Sequence, residues 1–214
     1  MIIGITGLIG SGKDTIADYL CTEHGFRRLS FAGSLKDAVS VIFGWDREML
    51  EGITTSSRTW REKTDEWWTT RLGFRVTPRK ILQVWGTEVC RDGFHKDIWV
   101  ASVENKLRQT TDNIVITDCR FPNELNAIKA AGGVTVRVHR GAKPDWYDTA
   151  IDFAKGPGHI GWALARNKLS KSGVHASEYS SVGLDYDYHI NNDGTIDELH
   201  RTINDLVQLH QAAK

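Results

Sequence analysis

The stretch Gly7-Leu-Ile-Gly-Ser-Gly-Lys13 does most to limit what this chain can fold into. A short apolar run, Ile2 to Thr6, precedes it. After it, from about Lys13 to His24, Ile16, Ala17 and Leu20 fall on one helical face. A glycine-rich turn between a buried strand and a helix that opens on lysine is the setting of a phosphate-binding loop. Its backbone N–H groups converge on phosphate oxygens. Glycine permits the dihedrals and the close approach, and the helix N-terminus adds a positive dipole. Lys13 then reaches the β- and γ-phosphates. The bland counterpart is a tight strand-to-helix turn with no ligand.

The rest of the chain repeats the alternation of strand and helix. Leu35, Ala38, Val39 and Ile42 form a helical stripe ending near Phe43, and from Trp45 to Val76 the pattern weakens and charges dominate. Pro78 fits the first turn of a helix running to about Cys90. Ile98 to Leu107 reads as another helix, Asn113 to Thr117 as a strand, and Pro122 to Ala131 as a helix ended by Gly132-Gly133. Val134 to Val138 and His189 to Asn191 read as strands, and Leu199, Ile203, Leu206 and Val207 mark a final helix. The pattern predicts an α/β fold, a three-layer sandwich of the P-loop NTPase class. A parallel sheet would carry helices on both faces within one domain over 1–214.

Lys+Arg and Asp+Glu both number 27, so the formal charge is zero. That excludes a general affinity for polymeric nucleic acid or for an anionic membrane, which rests on excess positive charge. No apolar run approaches the ~18 residues of a membrane span, and the first seven residues are too short and glycine-broken for a signal peptide. The three cysteines, Cys21, Cys90 and Cys119, are far apart and form no CxxC pair. A cytoplasmic protein with free thiols is the expectation.

The residue after the loop lysine is Asp14, with Thr15 behind it, where a magnesium-binding hydroxyl usually stands. Asp14 either holds the ion, directly or through water, or favours the helix N-terminus electrostatically. Asp118 closes the run Ile114-Val-Ile-Thr-Asp and is a carboxylate of Walker-B type. Cys119, not glutamate, follows it, and Phe121 stands where a GTPase DxxG has glycine. Asn167-Lys-Leu-Ser170 lacks the aspartate of NKxD. A kinase of nucleotides or small metabolites remains. Such an enzyme needs a second anion site, for which arginine is suited because guanidinium pairs bidentately with phosphate. Arg79, on the helix after Pro78 with Gln83, Glu88 and Arg91, is one candidate, and Arg120 is another. Arg120 is the better placed, since strand C-terminal ends line the ligand crevice of open α/β sheets.

These residues resemble the tailed-phage deoxynucleoside monophosphate kinases, relatives of the adenylate kinase group. The resemblance runs in order through Gly10-Ser-Gly-Lys-Asp-Thr15, Phe31-Ala-Gly-Ser-Leu-Lys36, Trp60-Arg-Glu-Lys with Trp67-Trp68, and Thr77-Pro-Arg79. It continues through Leu82-Gln83, Gly86-Thr-Glu88, Arg91, Ile98-Trp-Val100 and Thr117-Asp-Cys-Arg-Phe-Pro-Asn-Glu124, and ends at His175-Ala-Ser-Glu178 and Asn192-Asp-Gly194. It implies transfer of the ATP γ-phosphoryl group to a 2′-deoxynucleoside 5′-monophosphate with Mg2+, supplying DNA precursors, in the host cytoplasm if the origin is a phage, and a homodimer. It implies that Gly10, Ser11, Gly12, Lys13, Asp14 and Thr15 hold ATP. Lys36, Arg79, Gln83, Glu88 and Arg91 would lie by the monophosphate, the last four within an acceptor region at 45–97. Lys13, Asp118 and Arg120 would act at the reacting phosphates, with Asp14, Thr15 and Asp118 toward the metal. It assigns no role to His175 and Glu178, and among Trp60, Trp67, Trp68 and Trp85 it does not say which stacks on a base.

The second reading is another P-loop metabolite kinase, resembling dephospho-coenzyme A or phosphomevalonate kinases. The Trp-Trp and Leu-Gln…Gly-Thr-Glu stretches argue against it. A nucleotide-dependent interaction module without catalysis is a third, opposed by the missing GTPase motifs. The segment 141–174 departs from compact members of the resembled family. Its glycines punctuate it as a mobile excursion, either a surface or dimer-packing insertion or a lid that brings Arg140 or Arg166 to the transferring phosphate.

Overall fold

The computed structural model describes residues 1–212. In chain order the elements are β1 (Ile2–Gly7), α1 (Lys13–His24), β2 (Arg27–Leu29), α2 (Gly33–Phe43), α3 (Arg47–Glu51), α4 (Thr55–Glu62), α5 (Glu66–Leu72) and α6 (Pro78–Val84). A π-helix (Trp85–Asp92) and α7 (Ile98–Leu107) follow, then β3 (Ile114–Ile116), α8 (Pro122–Ala130) and β4 (Val134–His139). The chain closes with α9 (Tyr147–Ala154), α10 (Trp162–Lys171), α11 (Ala176–Tyr179), β5 (Tyr188–Asn191) and α12 (Ile196–Ala212). It divides into two compact units, Met1–Leu29 with Leu107–Lys214, and Ser30–Lys106.

The first unit is the predicted sandwich. Its five strands run in the order β2-β3-β1-β4-β5, and every pairing is parallel. Strands buried on both faces read as continuous apolar runs, which is why Ile114-Val-Ile is legible, whereas Val134-Thr-Val-Arg-Val138 is legible by its alternating valines. Ile3 and Ile5 of β1 share a core with Ile16 and Leu20 of α1, Val136 and Val138 of β4, and Leu199, Ile203 and Val207 of α12. The alternate residue Gly4 meets Ile128 of α8 on the opposite face. Strand β2 was not expected. Its Arg27-Arg-Leu has only a half-buried leucine to signal it. Strand β3 stops at Ile116, so Thr117 and Asp118 lie in the loop beyond it. The segment 141–174 contains two helices, α9 and α10. Tyr147 and Ala150 of α9 form a small core with Val182.

The second unit is helical. Its core is Leu35, Val39, Phe43, Trp45, Leu50, Val76, Ile81 and Trp99, with Trp60, Trp68 and Trp85 packed against it. Phe43 is the hub, its ring 4.6 Å from Trp45, 4.8 Å from Trp68 and 6.0 Å from Trp85. A buried indole N–H needs an acceptor. Trp45 donates to Asp65 (2.8 Å), Trp68 to the Phe43 carbonyl (3.0 Å) and Trp99 to the Gly86 carbonyl (2.9 Å). The weakly patterned stretch from Trp45 to Val76 holds helices of 5, 8 and 7 residues. They are too short to establish a 3.6-residue period. Each begins on an oxygen-bearing cap instead: Asp46, Thr54 and Asp65 accept amide N–H groups of their first turns. The helix after Pro78 does not run on to Cys90 as a regular α-helix. It changes to the π form at Trp85, where the Trp99 indole places a donor on a helix carbonyl, a known cause of local distortion. Among the described residues no helix is long and apolar enough to cross a membrane.

Candidate active site

The phosphate loop leaves β1 at Gly7 and enters α1 at Lys13. Gly12 caps the helix at φ 98°, a left-handed conformation that favours glycine. A Cβ there would stand 2.3 Å from Nδ2 of Asn192, which donates to the Ser11 carbonyl at 2.9 Å. Asn192, directly after β5, therefore buttresses the loop. The Lys13 ammonium has three N–H donors, and two go to the carbonyls of Gly7 and Leu8, both at 2.8 Å. Burial pushes its pKa below the ordinary lysine value, and Arg120 and Arg137 push it further against the pull of Asp14 and Glu178. Ser11 is buried within the loop and Thr15 is exposed. The Asp14 side chain is 78% exposed and faces Arg28. Thr117 donates to its Oδ1 at 3.3 Å. The helix start thus meets the end of β3, and Asp118 is the next residue of that loop.

Arg120 is held at both its backbone and its side chain. Glu124, 2% exposed, accepts the amides of Arg120 at 2.7 Å and Phe121 at 3.1 Å. That is one arm of a capping box with proline at the first helical position. The Arg-Phe-Pro-Asn-Glu string is therefore a device for fixing the peptide that carries Arg120. The guanidinium Nη1 donates to Ser177 Oγ at 3.1 Å and Glu178 Oε1 at 3.3 Å. His175, N-cap of α11, accepts the Ser177 amide on Nδ1 at 3.2 Å. The unassigned His-Ala-Ser-Glu motif is thus the partner of Arg120. Between Asp118 and Arg120, the Cys119 thiol is raised well above its ordinary pKa by burial, with Asp118 and Glu124 adding. It is an inert packing group.

Lys36, Arg79, Gln83, Glu88 and Arg91 all lie in the second unit. Lys36 pairs with Glu51, which also holds Arg47. Burial alone would raise the Glu51 carboxyl, but hydrogen bonds from Lys36 and Arg47 outweigh it and hold its pKa below the ordinary value. Arg79 Nε lies 3.3 Å from Glu62. Gln83 of α6 and Glu88 of the π-helix are exposed, and Arg91 of the π-helix is half-buried. A further residue was missed. Arg61 of α4 lays its guanidinium over Gly52, with Cζ 2.2 Å from where a Cβ would stand. Its Nε is buried without a partner. Burial pushes the Arg61 pKa down, and Arg79 and Arg58 push it further against the pull of Glu62 and Glu51. Arg61 Nη1 donates to the carbonyls of Leu50 and Glu51 at 3.4 and 3.5 Å, and Arg58 Nε donates to the Gly52 carbonyl at 3.0 Å. Trp60-Arg-Glu-Lys was the only sequence signal, and helix spacing does not reveal that Arg61 folds over Gly52.

Of the four tryptophans left open, Trp68 is committed to Phe43, Trp60 and Trp85 pack on the core, and Trp67 is 65% exposed. Arg140 is an exposed residue directly after β4. Arg166 lies over the Trp162 ring of its own helix, 5.4 Å from the centroid.

Comparison with known proteins bears on the same residues. The family described as deoxynucleotide monophosphate kinase matches residues 68–154. A protein of Acanthamoeba polyphaga mimivirus, provisionally named a deoxynucleotide monophosphate kinase, is 34% identical over 152 residues, covering 65% of this chain and 74% of that protein. The deoxynucleoside-5′-monophosphate kinase of Escherichia phage T5 is 27% identical over 174 residues, covering 58% of this chain and 70% of its own length. Among solved structures, dephospho-CoA kinase from Campylobacter jejuni is 13% identical with a TM-score of 0.47, over 97% of this chain and 95% of that one. That likeness is too slight to argue from. On the strength of the viral relatives, this chain belongs to the deoxynucleotide monophosphate kinase family.

Proposed function

We propose that this protein transfers the γ-phosphoryl group of ATP to a 2′-deoxynucleoside 5′-monophosphate, giving ADP and the deoxynucleoside diphosphate. The observation that carries the reading is the pairing, within a chain of this family, of a lysine-bearing phosphate loop with an arginine clasped close to it. Phosphoryl transfer needs alignment and charge neutralisation more than covalent chemistry. Gly10, Ser11 and Gly12 offer backbone N–H groups to ATP. Lys13 exchanges its loop carbonyls for the β- and γ-phosphates, and Arg120 meets the charge that builds on the transferring group. The acceptor oxygen belongs to a phosphate that is already anionic, so no general base is required.

The residues present fit a magnesium ion. Asp14, Thr15 and Asp118 supply only oxygen donors, and Asp14 is exposed enough to leave room for the waters that magnesium keeps. When bound, the ion neutralises charge on the β- and γ-phosphates. The acceptor region is assigned to 45–97. Arg79 and Arg91 would take the monophosphate together with Arg61, and Gln83, Glu88 and Lys36 line the same function. The segment 141–174 is assigned as the lid, with Arg140 or Arg166 as its cation. Amides in 141–174 are expected to gain exchange protection with a bisubstrate analogue joining adenosine to a deoxynucleoside through phosphates. No change in protection would remove the lid assignment.

A coupled assay for ADP, with ATP, Mg2+ and each of dAMP, dGMP, dCMP and dTMP in turn, tests the whole reading. ADP formation that depends on at least one of these acceptors is expected. ADP released at the same rate without any acceptor, or none released with all four, would overturn it.

A further inference from the structure

A four-residue helix such as α11 has little stability of its own, yet this one is pinned at both ends. His175 caps its start, with Nδ1 2.9 Å from Ser177 Oγ as well as accepting the Ser177 amide. Beyond its end, Arg137 Nη1 donates to the carbonyl and hydroxyl oxygens of Ser181 at 3.2 and 2.8 Å. Tyr186 donates its hydroxyl to the same carbonyl, and the next residue, Val182, is fully buried.

Arg137 is unusual in its own right. It is 2% exposed in the middle of β4, its bonded partners are neutral oxygens, and its Nη2 is buried with no partner. Burying a guanidinium without a carboxylate is expensive. In register it stands opposite Thr6 of β1, and it donates to Thr6 Oγ1 at 3.3 Å. Thr6 is the residue before Gly7, at the root of the phosphate loop. One buried cation therefore ties the start of the loop to the segment that carries Ser177 and Glu178. Those two side chains are the ones that hold Arg120.

We infer that His175–Ser181 is a positioning element for Arg120. Ser177 and Glu178 hold the guanidinium ready beside Lys13, and Arg137 keys the element to β1, so that loop and arginine keep one geometry. A half-exposed arginine left alone spreads over many rotamers. Clasping it in advance removes that cost from the transition state. The inference rests on the reading that Arg120 acts at the transferring phosphate.

A double-mutant cycle tests it. Glu178→Gln is made in the natural chain and in an Arg120→Met background, with kcat, both KM values and thermal unfolding measured. In the natural chain kcat is expected to fall roughly 10- to 100-fold, the loss typical of a catalytic group displaced by about 1 Å. Both KM values should stay within about twofold, and the melting temperature should hold. In the Arg120→Met background Glu178→Gln should change nothing further, because a residue acting through another has no separate effect. An unchanged kcat in the natural chain, or the same fall in both backgrounds, overturns the proposal. If Arg120→Met alone leaves kcat intact, the underlying reading of Arg120 fails instead, and the inference falls with it. Should Glu178→Gln unfold the chain, Ser177→Ala takes its place in the same cycle with the same outcomes.

Discussion

The phosphate-loop unit and the helical unit hold their cations in different ways. In the first, Lys13 rests on two carbonyls of its own loop and Arg120 in a clasp of serine and glutamate. In the proposed reaction each would exchange these groups for phosphate oxygens. In the second, Lys36 is tied into an ion pair with Glu51, while Arg61 lies half-buried over Gly52 with an N–H unsatisfied. The difference follows from how each unit is built. Parallel strands bring their C-terminal ends to one edge, so β1 and the loop after β3 converge whatever side chains they carry. Short capped helices have no such edge. Their side chains are arranged by the tryptophan-rich core on which the helices pack. A site made of backbone at a strand–helix junction is therefore stated locally in the chain, and a site made of side chains on several short helices is not.

The largest effect expected is on the loop. Lys13→Ala should lower turnover by at least about 10²-fold, the usual cost of removing one group that stabilises transition-state charge. The melting temperature should hardly move, because the side chain bonds only loop carbonyls. Near-normal turnover in the folded variant would mean that the loop is only a turn, and the contrast between the units would collapse.

Next in size is the arginine cluster. Arg61→Met should raise the KM for the monophosphate about tenfold or more, as loss of a charge-assisted hydrogen bond costs about 1.5–3 kcal/mol. The KM for ATP should stay near its original value. Arg79→Ala should do the same more weakly, since Arg79 is half-exposed and already shares its charge with Glu62. Steady-state kinetics with each substrate varied in turn gives both numbers. An equal rise for ATP and monophosphate would move the acceptor phosphate away from this cluster.

The smallest effect concerns Glu51 and pH. Its folded pKa is depressed, so its contribution to stability is fully present above the ordinary carboxylate value of about 4.3 and is lost as pH falls through the folded value. Glu51→Gln should lower the melting temperature at pH 7 by an amount worth under about 1 kcal/mol, because the pair is partly solvent-screened. The gap should close as the pH drops below about 4. A gap that persists undiminished in acid would show that Glu51 acts by packing and not by charge.

Much of the first unit was determined by the sequence itself. The apolar runs of β1 and β3 and the alternating valines of β4 mark buried strands, and the glycines from Gly7 to Gly12 with Lys13 behind them mark the turn from strand to helix. Proline and glutamate in Phe121-Pro-Asn-Glu124 state a helix start in four residues. Those signals are local, because each is the chain's own backbone geometry written in residue type. Tertiary structure alone decided the rest. The clasp on Arg120 joins residues 57 and 58 positions apart, and the buttress from Asn192 reaches the loop across 181. Arg61 lays its guanidinium over Gly52, and the Gly86 carbonyl loses its regular α-helical setting beside an indole 13 residues away. None of these is encoded by a spacing. Each depends on where burial of the apolar faces brings distant segments, and burial is non-directional. It selects the fold as a whole and leaves no mark at any one pair of positions.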